Sequence, residues 1–188
     1  MPVDTKTDVL NTADTMARGY GFDGFSYADL ADSVGIRKAS IHYHYPTKGD
    51  LSLALIGRYR HVFLDRLAQI TARDTSASAR LLAFLDLYRD ALDGGRSLCL
   101  CVALSVTQGA LPEATKSELA RFHRDVAQWL ETVFRLALSD GSIRAVTDPK
   151  AEAQAALAQV EGAQIMARAA TDPTRFEAAI DTLRARAI

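Results

Sequence analysis

The chain contains 188 residues, of which 48% are hydrophobic and 24% are charged, and its formal net charge is -1. This length and apolar content suffice for one or two domains with a hydrophobic core, and they exclude a disordered polar chain. No run of about 18 apolar residues occurs, so we expect no membrane partner. The two cysteines make no disulfide framework, and the N-terminus shows no basic-then-apolar leader, which together favour a reducing, cytoplasmic setting.

The predicted fold class is all-α, because Ala, Leu and Arg dominate and no segment alternates at period two. In the first helix, residues at helical spacing form an apolar stripe along one face: Val9, Ala13, Met16 or Ala17, and Tyr20. Ser26, with Asp29 in the first turn, predicts a capped start for the second helix. The nine predicted helices cover about residues 5–20, 27–34, 38–45, 48–72, 79–93, 98–108, 112–139, 149–170 and 173–187.

The second and third helices are short and are joined at Gly35, a spacing that predicts a helix-turn-helix. Ala31 lets the two helices cross closely, Gly35 tolerates a positive φ in the turn, and Ile41 fills the crossing. Such a unit presents its second helix to the major groove of DNA. The same spacing also arises in helical proteins that bind no DNA.

This region carries a local positive charge, because residues 33–49 contain basic side chains and no acidic one, although the whole chain is nearly neutral. Long polar groups on the third helix suit phosphates and base edges, and the N-termini of neighbouring helices suit phosphates. Alanine at Tyr43 or Lys48 is expected to abolish operator binding without unfolding the protein. The predicted DNA contacts are Ser26, Tyr27, Arg37, Lys38, Ser40, His42, Tyr43, His44, Thr47 and Lys48.

Residues 9–51 resemble the N-terminal domain of TetR/AcrR-type transcriptional repressors. The stretches GYGFDGFSYADLADSVGI and KASIHYHYPTKGDL carry the resemblance. The family usually has Gly-Thr where this chain has Ala39-Ser40, and aromatic-aromatic-His or Tyr-His-His where it has His42-Tyr43-His44, so the base preference cannot be derived from it. The basic arm that many members carry before the first helix is nearly missing.

The resemblance implies a homodimer that binds a palindromic double-stranded operator and is released by a small-molecule effector. It divides the chain into a DNA-binding domain, 1–47, and a ligand-binding and dimerisation domain, 48–188, with the helix from Lys48 as the mechanical link. The alternative is a helical interaction protein or small-molecule-binding regulator that binds no DNA. An all-helical enzyme is disfavoured, since no catalytic, metal or dinucleotide motif is present, and we expect no cofactor and no metal.

In the family, the helices that follow the DNA-binding domain enclose a ligand cavity. The alternative for each candidate residue is plain core packing. Tyr88 and Trp129 are the favoured contacts, because each carries a polar atom that needs a partner when buried, and His123 is expected at the rim. The predicted effector-site residues are Phe63, Leu67, Phe84, Tyr88, Cys99, Phe122, Val126 and Trp129.

The last two predicted helices are rich in small residues, which allow close helix approach. The family pairs these two helices with those of a second copy in a four-helix bundle, and the composition suits that role. Packing within one subunit is the alternative. The small residues concerned are Ala151, Ala155, Ala158, Gly162, Ala163 and Ala167.

A further resemblance lies in the segment Ser97–Val102 and in the following Gln108-Gly109-Ala110-Leu111-Pro112. This stretch resembles the corresponding one in the branch of the family that includes the NemR and AcuR regulators, whose members respond to electrophiles, oxidants or acrylate-like acids. Leu98 stands where that branch has Gly. Cys99 is either a small buried hydrophobe or a reactive thiol whose pKa is lowered by a helix N-terminus and Arg96. Replacing Cys99 by Ser is expected to leave DNA binding intact and to weaken release by electrophiles.

Overall fold

The computed structural model describes residues 4–107, 109 and 111–188. Within this part of the chain there are nine α-helices and no strand, which confirms the predicted fold class. No helix in those residues combines the length and hydropathy that crossing a membrane requires. The helices are α1 Thr5–Tyr20, α2 Tyr27–Val34, α3 Lys38–His44, α4 Lys48–Arg73, α5 Ala77–Ala91, α6 Leu100–Ser105, α7 Glu113–Asp140, α8 Pro149–Ala170 and α9 Thr174–Arg184.

Side-chain caps fix several of the helix starts. The predicted cap of α2 forms as a capping box, in which Ser26 and Asp29 bond each other's backbone N–H groups. At α8 the Asp148 carboxylate accepts from the N–H groups of Lys150 and Ala151. Helix α5 begins two residues earlier than predicted, because the Ser76 hydroxyl accepts from the Ala79 N–H group.

The chain divides into two compact units. Unit 1 comprises Met1–His61 and Leu100–Arg121, and unit 2 comprises Val62–Cys99 and Phe122–Ile188. Helices α4 and α7 each supply residues to both units. Unit 1 therefore contains α6 and the first part of α7 in addition to the helix-turn-helix.

The core of unit 1 begins with the stripe along α1. Val9, Ala13 and Ala17 are fully buried, as the periodicity predicts. The prediction that Tyr20 continues this stripe is wrong, because its side chain is 75% exposed. Tyr20 is the last residue of α1, and Gly21, at φ 84°, redirects the chain there.

Within unit 1, α4 and the start of α7 are in close contact. A Cβ atom added at Gly49 would lie 2.6 Å from Cγ of Pro112, so only glycine fits between the two segments. The hydroxyls of Ser52 and Thr115 are 2.8 Å apart and both residues are fully buried. Because a buried hydroxyl without a partner is costly, this pair ties the two helices together.

Unit 2 is built from the remaining helices, and apolar side chains of α7 lie in its core. Phe122, Val126, Val133 and Phe134 are completely buried there. Helices α8 and α9 pack against each other through residues such as Val160 and Ile180, which are also completely buried. The burial of these apolar side chains supplies the main stabilising free energy of the unit.

The connection between α3 and α4 is held by the phenol of Tyr27. Its Oη atom lies 2.9 Å from the carbonyl oxygen of Tyr45 and 2.7 Å from that of Thr47. The Tyr27 side chain is only 6% exposed, and burial raises its pKa to about 12, with the charge of Asp50 adding to the effect. This group thus links the start of α2 to the segment that leads into α4.

We expect Tyr27→Phe to lower the free energy of unfolding by about 1–2 kcal/mol, because the buried Tyr45 carbonyl loses the phenol donor and the Thr47 carbonyl keeps only the N–H of Leu51. Urea unfolding measures this loss, and Tyr20→Phe, at an exposed tyrosine of the same unit, is the control. The folded-state pKa lies above that of the unfolded chain, so the contribution is present below pH 10 and disappears as the pH rises to about 12. An unchanged midpoint, or a difference between the two proteins that persists above pH 12, would contradict this role.

Candidate nucleic-acid interface and effector site

The turn between α2 and α3 has the backbone that the sequence predicts. Gly35 adopts the left-handed conformation with φ 76°; the N–H of Ile36 donates to the carbonyl of Ala31, and the N–H of Gly35 donates to the carbonyls of Ala31 and Asp32. This pattern is a Schellman motif, which ends α2 and redirects the chain into α3. Ile41 is fully buried beneath the turn, so the opposite side of α3 faces outwards.

The outer side of α3 combines cationic and aromatic side chains. Arg37 and Lys38 are exposed and form no ion pair within the described residues, so both charges are available to a phosphate. Tyr43 is 84% exposed, so its ring contributes little to the packing of the free protein and is available to a binding partner. A surface groove of about 460 Å³ lies along this helix, lined by Thr5, Arg37, Ala39, Ser40, Tyr43 and His44.

Two of the predicted phosphate contacts, Ser26 and Thr47, are engaged in capping. The hydroxyl of each residue lies 2.7 Å from a carboxylate oxygen, of Asp29 and Asp50 respectively. Hydrogen bonds from the Ser26 backbone and hydroxyl lower the pKa of Asp29, which keeps a negative charge at this helix start. These acids occupy the helix N-termini where the sequence predicts phosphates, and phosphate contact by Ser26 and Thr47 stays a prediction.

Lys48 differs most from its predicted role. Its ammonium group donates to the carbonyl of Phe22 at 2.7 Å and also to the carbonyl of Phe25. The same nitrogen lies 4.9 Å and 4.5 Å from the centroids of these two rings, within the range of a cation–π interaction. Burial lowers the pKa of Lys48, while Asp23 and Asp29 raise it. Lys48 therefore anchors α4 to the segment before α2, and phosphate binding would have to compete with these bonds.

The two histidines of α3 lie on different sides of the helix. His44 lines the groove, and its ring packs edge-on against Tyr43 at a centroid distance of 5.1 Å. The ring of His42 packs against Tyr27 at 4.9 Å, and its Nδ1 atom lies 3.1 Å from the carbonyl oxygen of Pro46. His42 is nevertheless exposed, so part of its ring remains accessible.

In unit 2 the structure brings the predicted aromatic residues into one connected cluster. Phe63 lies 5.8 Å from Tyr88 and 5.2 Å from Phe122 between ring centroids. Phe84 contacts Tyr88 at 5.0 Å and Trp129 at 5.8 Å. Most of these rings pack edge-on or tilted, as buried aromatic pairs prefer. Leu67 and Val126 of the predicted set are also buried.

The polar atoms of this cluster have partners that the sequence does not indicate. The indole N–H of Trp129 donates to the Thr71 hydroxyl at 2.9 Å. The Tyr88 hydroxyl makes a long contact of 3.5 Å with a carboxylate oxygen of Glu161. His123 Nε2 is buried 3.2 Å from the same oxygen, an ion-pair distance, but it makes no hydrogen bond within the described residues.

Sequence reasoning also missed Gln164, which is fully buried on α8. Its amide oxygen accepts from the N–H of Cys99 at 2.9 Å, and its amide nitrogen donates to the carbonyl of Tyr88 at 2.7 Å. A glutamine among alanines on the inner side of α8 is the one sequence signal for this role. Gln164 positions two backbone segments beside the aromatic cluster.

The surroundings of Cys99 favour a packing role. The residue is 1% exposed, and α6, which follows it, has only six residues. The Arg96 guanidinium pairs with Asp93 at 2.8 Å and is 75% exposed, so its charge is already neutralised by a partner. Two residues of the segment Gln108–Pro112, Gln108 and Ala110, lie outside the described part of the chain.

The small residues of α8 separate into two sets. Ala163 and Ala167 are buried within unit 2. Ala151, Ala155 and Ala158 are exposed and lie on one side of the helix together with Gly162 and Ile165, which is 43% exposed. The exposed set forms an apolar strip of small side chains, which we call the α8 strip.

Two family models match the chain. Residues 9–55 match the model described as bacterial regulatory proteins of the tetR family, and residues 77–183 match the tetracyclin repressor-like C-terminal domain. A solved TetR-family transcriptional regulator from Agrobacterium tumefaciens is 30% identical and superposes with a TM-score of 0.91, covering 97% of each chain.

Curated relatives are transcriptional regulators as well. The chain is 29% identical over 121 residues to IcaR of Staphylococcus epidermidis, the negative regulator of the biofilm operon icaADBC; this match covers 64% of the chain and only 62% of IcaR. The regulator AcuR of Cereibacter sphaeroides is 28% identical over 151 residues, covering 79% of this chain and 69% of AcuR.

The repressor NemR of Escherichia coli is 23% identical over 171 residues, which cover 88% of this chain and 84% of NemR. NemR and AcuR are therefore both relatives of this chain, in agreement with the resemblance of the cysteine segment. Both the N-terminal and the C-terminal matches lead to one family, and the chain belongs to the TetR family of transcriptional regulators.

Proposed function

We propose that this chain is a homodimeric repressor that binds a palindromic double-stranded operator through α3 and leaves it when a small effector binds unit 2. TetR regulators bind operator DNA and act as dimers, and several relatives are repressors. The single observation that carries the proposal is the exposed surface of α3, where Tyr43 and two cations without an ion pair in the described part of the chain lie opposite the buried Ile41. The protein would act in the cytoplasm, where the chromosome lies.

The DNA-binding domain of this proposal is residues 1–47. Arg37 and Lys38 would neutralise phosphates, and Ser40, Tyr43 and His44 would contact the DNA from the groove along α3. The absence of acids from residues 33–49 makes this surface locally positive in a nearly neutral chain. Helix α4 is the proposed link, because it has residues in both units.

Replacing Tyr43 by Ala is expected to weaken operator binding at least tenfold without lowering the melting temperature, because the ring is exposed in the free protein. Binding is measured by fluorescence anisotropy on a duplex selected from a randomised library by the wild-type protein. Tyr20→Ala, at a tyrosine of similar exposure in the same unit, is the control and should bind normally. Equal affinity of the Tyr43 variant and the wild type would remove α3 from the interface.

The proposed dimer forms through α8 and α9, with the α8 strip at its centre. Small side chains let two helices approach closely, and Ile165 and Met166, which is 57% exposed, would be covered by the second copy. Nothing in the described chain lies within 4 Å of a Cβ atom added at Gly162. A larger residue there is therefore tolerated by one subunit and obstructs only a neighbour.

We expect Gly162→Leu to yield a folded monomer, as measured by size-exclusion chromatography with light scattering. Helix propensity favours Leu over Gly, so the melting temperature of the subunit itself should not suffer from the substitution. Gly57→Leu is the matched control, since Gly57 is also helical and half-buried, and a Cβ atom added there would likewise meet nothing of the described chain within 4 Å beyond its own helix backbone and chain neighbours. A Gly162→Leu protein that remains a dimer would place the interface elsewhere.

The proposed effector binds unit 2 beside the aromatic cluster and does not react with a thiol. The rings of the cluster are apolar and buried, and Glu161 and the buried Nε2 atom of His123 offer polar contacts at its edge. Small apolar or aromatic molecules suit these surroundings, and the packed rings would have to separate to admit them. An electrophile is the alternative, and the 1% exposure of Cys99 argues against it.

We expect both cysteines of the native protein to react with iodoacetamide at least about 100-fold more slowly than in urea, because both side chains are buried. Mass spectrometry of tryptic peptides after timed alkylation measures the two rates. Rapid labelling of Cys99 in the native protein, combined with loss of electrophile-induced DNA release in Cys99→Ser, would establish the electrophile alternative instead.

A further inference from the structure

His42 is fixed in one tautomer by the chain itself. Its Nδ1 atom lies 3.1 Å from the carbonyl oxygen of Pro46, and a carbonyl oxygen can only accept a hydrogen bond. Nδ1 therefore carries the hydrogen. In the neutral ring this leaves Nε2 as an acceptor with no hydrogen to donate.

The orientation of the ring is also determined. The ring stands edge-on to Tyr27 at 4.9 Å with an interplanar angle of 64°, and Tyr27 is itself held by the carbonyls of Tyr45 and Thr47. Turning the His42 ring over would break its bond to Pro46. The Nε2 edge of the ring is consequently presented in a single arrangement.

Nε2 of His42 has no partner among the described residues, and the residue is exposed on the helix that carries Lys38 and Tyr43. Lys38 and Arg37 can only donate hydrogen bonds, and the hydroxyls of Ser40 and Tyr43 can both donate and accept. His42 thus differs from these neighbours, because Nε2 of its neutral ring can accept a hydrogen bond but cannot donate one.

We propose that His42 is a specificity-determining residue, which selects through Nε2 a base with an exocyclic amino group in the major groove. This inference rests on the proposed DNA-binding function. Only the N6 amino group of adenine and the N4 amino group of cytosine are hydrogen-bond donors in the major groove. Guanine and thymine present acceptors at the corresponding edge, which Nε2 of neutral His42 repels.

The first experiment uses the full-length wild-type protein at pH 8.0. A randomised duplex library gives the preferred site, and each adenine or cytosine of its half-sites is then replaced, symmetrically, by purine or pyrimidin-2-one. These analogues lack the amino group and show which of the two bases is read. At one position we expect affinity to fall about 5- to 50-fold, corresponding to one hydrogen bond lost in each half-site.

Two variants separate recognition of the base by Nε2 from the structural bond that His42 makes to the Pro46 carbonyl. In His42→Asn, the side-chain NH₂ can still donate to the Pro46 carbonyl, but no atom occupies the place of Nε2. In His42→Gln, the side chain reaches as far as Nε2 and its amide oxygen can accept. We expect the Asn variant to retain its melting temperature but to bind the amino-containing and amino-lacking sites equally, and the Gln variant to retain a preference for the amino group.

The outcomes distinguish the two levels of the proposal. A wild-type protein that enriches no sequence from the library, and binds duplex DNA without salt dependence, would refute DNA binding itself. A wild-type protein that selects a palindrome but tolerates every amino-group deletion would refute only the role of His42. The same holds if His42→Asn discriminates between the two sites as strongly as the wild type.

Discussion

The structure of the DNA-binding part depends on how four consecutive residues, 45–48, are held. Tyr27 binds the carbonyls of residues 45 and 47, His42 binds that of residue 46, and the ammonium group of Lys48 binds the carbonyls of Phe22 and Phe25. Backbone carbonyls in a connecting segment need donors once water is excluded. Here side chains from α2, α3 and α4 supply them, so the angle between α3 and its neighbours follows from hydrogen bonds as well as from the burial of Ile41.

The same bonds divide the polar residues around α3 into those that hold the fold and those that are available to DNA. Ser26, Thr47 and Lys48 are bound internally, whereas Arg37, Lys38 and Tyr43 are exposed. Asp29 and Asp50, on either side of the acid-free window, cap the helices there. A chain with net charge -1 can thus present a positive surface of limited extent, since residues 33–49 contain cations and no acid.

Periodicity and caps in the sequence predicted much of this molecule. The apolar face of α1, the cap at Ser26 and the turn at Gly35 depend on residues a few positions apart, and they formed as expected except at Tyr20. The partners of Lys48, Gln164 and His123 lie between 23 and 76 residues away, and no local pattern indicates them. A lysine at a helix start has the same local sequence whether it binds solvent, DNA or a buried carbonyl, and a glutamine among alanines does not show which backbone groups it will bond.

The fit of Gly49 against Pro112 has a mechanical consequence. The first turn of α4 and the beginning of α7 interlock where a single added carbon would overlap the proline ring. A closer approach of these two segments would require one of them to shift, because there is no room for even one further carbon atom between them. A displacement of the start of α7 within unit 1 would therefore press directly on the first turn of α4, whose Lys48 is bonded to the carbonyls of Phe22 and Phe25.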